Sequence, residues 1–158
     1  MQPRYVIDTI PKIAAKGNPM IPTTPTARLT DEAIMAMMTA ALRQATEMGV
    51  PQCIVIVDAS AIDLAVLRMA GARVLSLHSA RAKAQTAASI GRPSASLPEA
   101  VRPAIAAASQ GTMTGLPGGL PIWHGGQLLG GIGVGSGTGD QDIAVAAAAL
   151  AAIGADPV

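Results

Sequence analysis

The stretch "GGIGVGSGTGDQD", residues 130–142, has a glycine at every second position from Gly131 to Gly139. Side chains alternate between the two faces of a strand, so these glycines leave one face bare while Ile132 and Val134 fill the other. A bare face admits a closely packed helix, another backbone or a flat ligand. The segment "SGTGD" then leads into a helix N-terminus, whose free N–H groups favour an anion such as a carboxylate. We therefore predict a strand that is followed by a capped helix.

The glycine spacing does not fit a nucleotide-binding loop. A dinucleotide fingerprint needs glycine at relative positions 1, 3 and 6 of a strand-to-helix turn. Counted from Gly131, Gly133 or Gly135, the sixth position is Ser, Thr or Asp, and no GxxxxGK[ST] motif occurs. The stretch therefore indicates a structural element rather than a phosphate-binding loop.

Composition limits the classes of partner. The chain has 158 residues, half of them hydrophobic and only 13% charged, which predicts apolar faces buried in a homo-oligomer. No Lys or Arg follows Arg102, and Tyr5 and Trp123 are the only aromatic residues, so we expect no nucleic-acid binding. No apolar run is long enough to span a membrane, and the start of the sequence resembles no signal peptide, so we expect a cytoplasmic protein without membrane contact. The single Cys53 excludes a disulfide within the chain.

The chain divides into a short arm and one domain. Residues 1–28 contain five prolines and predict an extended N-terminal arm, and residues 29–158 predict a single domain. Its first helix is "LTDEAIMAMMTAALRQATEMG", capped by Thr30. A buried strand "PQCIVIVDA" and its hairpin partner "DLAVLRM" follow.

The second half repeats this pattern of helix and hairpin. The stretch "ARVLSLHSARAKAQTAASIG" predicts a helix closed by Gly91, and "SLPEAVRPAIAAASQG" predicts a third helical segment bent at Pro103. A second hairpin turns at Gly125-Gly126, and a last helix runs from about Gln141 to Ile153, capped by Asp140. This order favours an α+β fold, in which helices flank a mostly antiparallel sheet.

Few residues suggest chemistry by themselves. His78, Arg81 and Lys83 lie close together on the second helix, where Lys83 borders the apolar stripe. Its ammonium either reaches water or offers a cation to an anionic ligand. Asp63 and Arg68 in the first hairpin predict an ion pair that fixes it. The two histidines are not spaced as a zinc pair, and no Ser–His–Asp or paired-carboxylate motif is present.

Several stretches together resemble a known family. They are "VPQCIVIVDA", "LRMAGA", "SARAKAQTA" and "LPGGLPIWHGGQLLGGIGVGSGTGDQD". The chain resembles the haem-binding GlcG/HbpS-like family, which includes the C-terminal domain of PduO-type proteins, over about residues 29–154. The resemblance implies a profilin-like fold, with α/β/α layers around a five-stranded antiparallel sheet, assembled into dimers or higher oligomers. It also implies haem as the cofactor of some members and a link with small-molecule catabolic pathways.

The leading hypothesis from this resemblance is a cytoplasmic oligomeric protein that binds haem or a related flat small molecule with carboxylate groups. Lys83 and Arg68 would receive the carboxylates, and His78 would be the axial ligand of the haem iron. Four glycines are further ligand-binding candidates: Gly118, Gly119 and Gly133, which match the family pattern, and Gly135 on the same bare strand face as Gly133.

Two other classes of function stay open. One is a cofactor-independent enzyme, a deaminase, hydrolase or isomerase, which acts on a small carboxylic acid from aromatic ring-cleavage catabolism. Lys83 or Arg68 would then anchor the carboxylate, and His78, Asp63 or Asp58 would act as acid or base. This hypothesis is motivated by departures from the family pattern at Ser60, Ala61, Asp63 and Ala70. The other class is a structural protein whose arm and apolar faces bind another chain.

Overall fold

The computed structural model describes residues 25–158. Its elements are, in chain order, α1 (Asp31–Glu47), β1 (Cys53–Asp58), β2 (Asp63–Arg68), α2 (Ser76–Ile90), α3 (Arg102–Ala108), β3 (Gly119–His124), β4 (Gln127–Gly135) and α4 (Gly139–Ala152). Two single 3-10 turns precede α3. The α+β class is thus confirmed. Most of the predicted arm, residues 1–28, lies outside the described residues, and the division into an arm and one domain stays a prediction.

The four strands form one antiparallel sheet in the order β2-β1-β4-β3. Each hairpin supplies two neighbouring strands, and β1 pairs with β4 to join the hairpins. The resemblance implied five strands, but residues 25–158 contain four. Gly125 and Gly126 form the turn of the second hairpin with φ of +58° and +76°, as predicted from the paired glycines.

Helices cover both faces of the sheet. Ile54 and Ile56 of β1 belong to an apolar cluster with α1 and α4, whereas Cys53, Val55 and Val57 belong to a second cluster with α2. This alternation along one strand explains why "CIVIV" is hydrophobic throughout, since both of its faces are buried. The result is a three-layered α/β/α arrangement, in which α2 is the one helix of the described part of the chain that covers its face of the sheet.

Local sequence accounts for the helix ends, with three corrections. Thr30 caps α1 as predicted, and Gly91 ends α2 in a left-handed conformation. The last helix begins at Gly139, not at Gln141. Its cap is Thr138 rather than Asp140, because the Thr138 hydroxyl accepts the N–H of Gln141 while the Gln141 side chain accepts the N–H of Thr138. Pro103 lies in the first turn of α3 and does not bend a helix, since proline fits where no N–H donor is required.

Candidate functional site

A buried ion pair joins α2 to α4 at the C-terminal end of β4. Lys83 Nζ lies 2.7 Å from Asp142 Oδ2 and also donates to the carbonyl oxygen of Val134 at 2.7 Å. The two side chains are only 6% and 4% exposed. Asp142 Oδ1 accepts the N–H of Gly137 at 3.0 Å. Lys83 was predicted to bind a ligand carboxylate, but in the structure it binds a carboxylate of its own chain.

Two of the glycines predicted to bind ligand instead make room for this pair. A Cβ atom on Gly118 would lie 2.6 Å from Cβ of Asp142 and 3.2 Å from Nζ of Lys83, and Gly118 has a φ of +106°. A Cβ atom on Gly119 would overlap the backbone carbonyl of Lys83. Gly118 is therefore required by the ion pair and its own left-handed conformation, and Gly119 by the backbone of α2, whether or not a ligand binds nearby.

The bare face of β4 is covered by a helix. Cβ atoms on Gly131 and Gly133 would overlap the carbonyl oxygens of Ala84 and Ala80 in α2. A Cβ atom on Gly135 would lie 2.9 Å from the carbonyl oxygen of Ser76. Gly133 and Gly135 were predicted to lie against a flat ligand. The structure corrects this expectation, because the backbone of α2 already occupies the space that the missing side chains leave.

A pocket of about 290 Å³ opens beside the ion pair, between the N-terminal ends of α2 and α4. We call it the interhelix pocket. Its walls are formed by Arg73, Ser76, Ser79, Lys83, Leu116, Pro117, Ser136, Gly137, Gly139 and Asp142. Arg73 is exposed, and its backbone N–H donates to the Ser136 hydroxyl at 3.0 Å. Ser136 has a φ of +99°, a conformation that is strained for a residue with a side chain.

The other predicted site residues lie elsewhere around α2. His78 is exposed on its first turns, and Arg81 Nε binds Asp63 Oδ2 at 2.9 Å. The predicted Asp63–Arg68 pair is therefore wrong, since Asp63 joins the hairpin to α2 instead. Arg68 donates to the carbonyl oxygen of Ala72 at 3.3 Å.

Asp58 has a structural role at the end of β1. Its Oδ1 accepts the N–H groups of Ser60 and Ile62, at 2.8 and 3.0 Å, and thereby fixes the turn between β1 and β2. Ala61 in this turn has a φ of +64°. The departures from the family pattern at Ser60 and Ala61 thus lie in an exposed or half-exposed turn that Asp58 stabilises.

One polar residue of this region gave no signal in the sequence. Gln52 is fully buried, and its Oε1 accepts the N–H of Gly137 at 3.1 Å, whereas its Nε2 has no hydrogen-bond partner among the described residues. Nothing in "VPQCIVIV" distinguishes this glutamine from a surface residue at the start of a strand. Its burial follows from the tertiary fold, which brings the segment between β4 and α4 against it.

Residues 25–158 lack both a metal-binding cluster and a membrane-spanning helix. These residues contain no group of three or more His, Cys, Asp or Glu side chains that is arranged to hold a metal ion. None of their helices is both long and apolar enough to cross a membrane.

Comparison with known proteins identifies the family. The family model described as "Haem degrading protein HbpS-like" matches residues 29–151. The chain belongs to the HbpS-like family. The resemblance read from the sequence is thereby confirmed. Among curated proteins, none matches this HbpS-like chain.

Solved structures agree with this assignment. A PduOC:haem complex is 30% identical, with a TM-score of 0.77, and the alignment covers 82% of this chain and 98% of that one. A double mutant of Streptomyces reticuli HbpS is 32% identical, with a TM-score of 0.74 and coverage of 89% and 97%. The Klebsiella pneumoniae protein ORFY is 28% identical, with a TM-score of 0.82 and coverage of 87% and 98%. The HbpS-like chain thus shares its fold with these proteins over nearly their full lengths.

Proposed function

We propose that this protein binds haem or a related flat tetrapyrrole that carries carboxylate groups. The proposal is supported by membership of the HbpS-like family and by likeness to a PduOC:haem complex. Haem needs an axial donor for its iron, apolar contacts for its ring and cations for its carboxylates. Residues at the end of β2 and around the start of α2 offer all three kinds of group.

The imidazole of His78 is the observation that carries the proposal. It is exposed, and within residues 25–158 its side chain makes no hydrogen bond, so a ring nitrogen is free to bind iron. Val74 and Leu75, which directly precede α2, are 68% and 77% exposed. Large apolar side chains with so much accessible surface next to a free imidazole fit the ring of a tetrapyrrole. Iron bound at His78 would supply the redox chemistry of haem.

Arg68 is the better candidate for the carboxylates of such a ligand. It pairs in register with Cys53, whose side chain packs on the α2 side of the sheet, so Arg68 belongs to the same side of the sheet as α2. Its guanidinium makes one hydrogen bond within residues 25–158, to the carbonyl oxygen of Ala72, and most of its five donors are left for a ligand. Lys83, the other cation predicted from the sequence, already forms an ion pair with Asp142.

We also propose that the chain forms a homo-oligomer. The exposed apolar side chains include Met35, Ile62 and Val66, with 63%, 64% and 43% of their surfaces accessible. Strand β2, to which Val66 belongs, is an edge of the sheet, and its outer side pairs with no other strand of residues 25–158. Native mass by light scattering at several concentrations tests this part of the proposal, and a monomer at all of them would contradict it.

The alternative of a cofactor-independent enzyme is less well supported. It needs Lys83 or Arg68 to anchor the carboxylate of the substrate and His78, Asp63 or Asp58 to act beside it as acid or base. Lys83 is instead bound to Asp142 at the interhelix pocket, while Asp63 is bound to Arg81 beside the first hairpin. We therefore favour binding over catalysis.

A hemin titration tests the proposed function. Wild-type protein is expected to give a saturable shift of the Soret band, and His78→Ala is expected to weaken binding and alter the band position. His124→Ala is the matched control, because His124 is the only other histidine of the chain and is also exposed. A wild-type protein without a saturable change, or equal effects of the two substitutions, would contradict the proposal.

A further inference from the structure

The interhelix pocket has more hydrogen-bond donors than its own residues use. Lys83 Nζ donates to Val134 and Asp142, and an ammonium group has a third N–H. Gly139, the first residue of α4, donates its N–H to no described residue, as expected for the first turn of a helix. The Ser76 hydroxyl likewise makes no hydrogen bond with the described residues. The pocket is therefore rich in unused donors.

Its charge favours an anion. Lys83 and Asp142 neutralise each other, which leaves the exposed guanidinium of Arg73 as the uncompensated charge among the pocket's residues. Asp140 also lies on the first turn of α4, but it is exposed and does not line the pocket. The N-terminal end of α4 carries a partial positive charge that adds to that of Arg73.

A second, independent observation points to a missing partner here. The Nε2 atom of Gln52 is buried without a hydrogen-bond partner, although buried polar groups are almost always paired. It lies behind Gly137, which lines the pocket: a Cβ atom on Gly137 would be 2.5 Å from Nε2 and 3.0 Å from Asp142 Oδ1. The missing side chain of Gly137 thus leaves room for this unpaired donor directly behind a residue of the pocket wall.

We infer that the interhelix pocket is a binding site for a small oxyanion, a carboxylate or a phosphate group. Its volume of about 290 Å³ is at the lower end of the range for ligand pockets, so the ligand is a small acid rather than a tetrapyrrole. Arg73, Ser76 and the N–H of Gly139 bind its oxygens, and the third N–H of Lys83 faces it from within. The site is separate from His78, which lies on the outer surface of α2.

NMR titration of the ¹⁵N-labelled protein tests this inference, with sodium acetate and sodium phosphate as separate probes at constant ionic strength. We expect saturable shifts of the Ser76, Gly137 and Gly139 amides with at least one probe, and the probe that saturates at the lower concentration identifies the oxyanion. Arg73→Gln is expected to weaken this binding about tenfold, because it removes a charged hydrogen bond. Arg92→Gln, which changes an exposed arginine outside the pocket, is expected to have no effect.

Two results would contradict the proposed oxyanion site. One is a linear, non-saturating response to both probes, and the other is equal binding by wild type and Arg73→Gln. If the oxyanion site is independent of the proposed tetrapyrrole site, the His78→Ala variant shows the same amide shifts with acetate or phosphate as wild type. Loss of hemin binding therefore leaves the oxyanion result intact, and the two proposals can fail separately.

Discussion

Lys83 and Asp142 are 59 positions apart in the chain, yet their charged atoms meet at 2.7 Å with almost no solvent exposure. The pair holds α2 and α4 together at the end of β4. Because each charge is buried, either one alone would remain without compensation in a medium of low polarity.

Asp142→Asn is therefore expected to destabilise the protein by about 3–5 kcal/mol, since it leaves the Lys83 ammonium buried without its counter-charge. Lys83→Met is expected to have an effect of similar size. Urea denaturation of both single variants and of the double variant measures the coupling between the two residues. The double variant should lose much less stability than the sum of the single variants, and strict additivity would contradict a buried pair.

Gly133→Ala is expected to destabilise the fold by about 3 kcal/mol or more, because the new methyl group would overlap the backbone of α2 at Ala80. Gly135→Ala is the matched control on the same strand face. Its methyl group would lie 2.9 Å from the nearest backbone oxygen, so a loss of about 1–2 kcal/mol is expected. Thermal denaturation compares the two variants. A Gly135 variant as unstable as the Gly133 variant would disagree with the observed spacing between β4 and α2.

Local patterns predicted most of the fold. The helical spacing of apolar residues predicted α1, and the alternating glycines predicted β4 with one bare face. In the structure α2 packs on that face. Such features depend on neighbours a few residues apart, which is the range over which sequence periodicity carries information.

Long-range contacts were predicted less well. An ion pair between Asp63 and Arg68 was expected from their closeness in sequence, but five residues of an extended strand span roughly 17 Å. Asp63 therefore binds Arg81, which the fold brings beside it. Gln52 and the interhelix pocket could not be inferred at all, because their surroundings come from four separate segments of the chain.

The thiol of Cys53 is expected to be unreactive in the folded protein. The residue is fully buried, and burial raises the pKa of the thiol, an effect that the nearby Arg68 charge opposes in part. A disulfide reagent such as DTNB should react at least about a hundredfold more slowly with native protein than with protein in urea. Stoichiometric reaction of the native protein at the rate of the unfolded chain would contradict the buried position.

The carboxylate of Asp156 is expected to make stability depend on pH in the acid range. It accepts the N–H groups of Gly126 and Gly125, at 2.8 and 3.2 Å, in the turn of the second hairpin. The hydrogen bond from Gly126 is the main reason that the pKa of Asp156 is lowered from 3.8. Burial opposes this shift, and the bond from Gly125 and the charge of His124 lower the pKa further.

Because the folded state holds the carboxylate in its charged form, this stabilisation is fully present above the unfolded value of 3.8 and is lost as pH falls through the lower folded pKa. Asp156→Asn should therefore be less stable than wild type at neutral pH and approach wild type in strong acid. Urea midpoints measured from neutral pH down to about pH 2 follow this convergence. Asp140→Asn serves as the control, since the Asp140 carboxylate accepts no hydrogen bond from residues 25–158. A constant difference between Asp156→Asn and wild type across this range would show that the charge of Asp156 does not stabilise the turn.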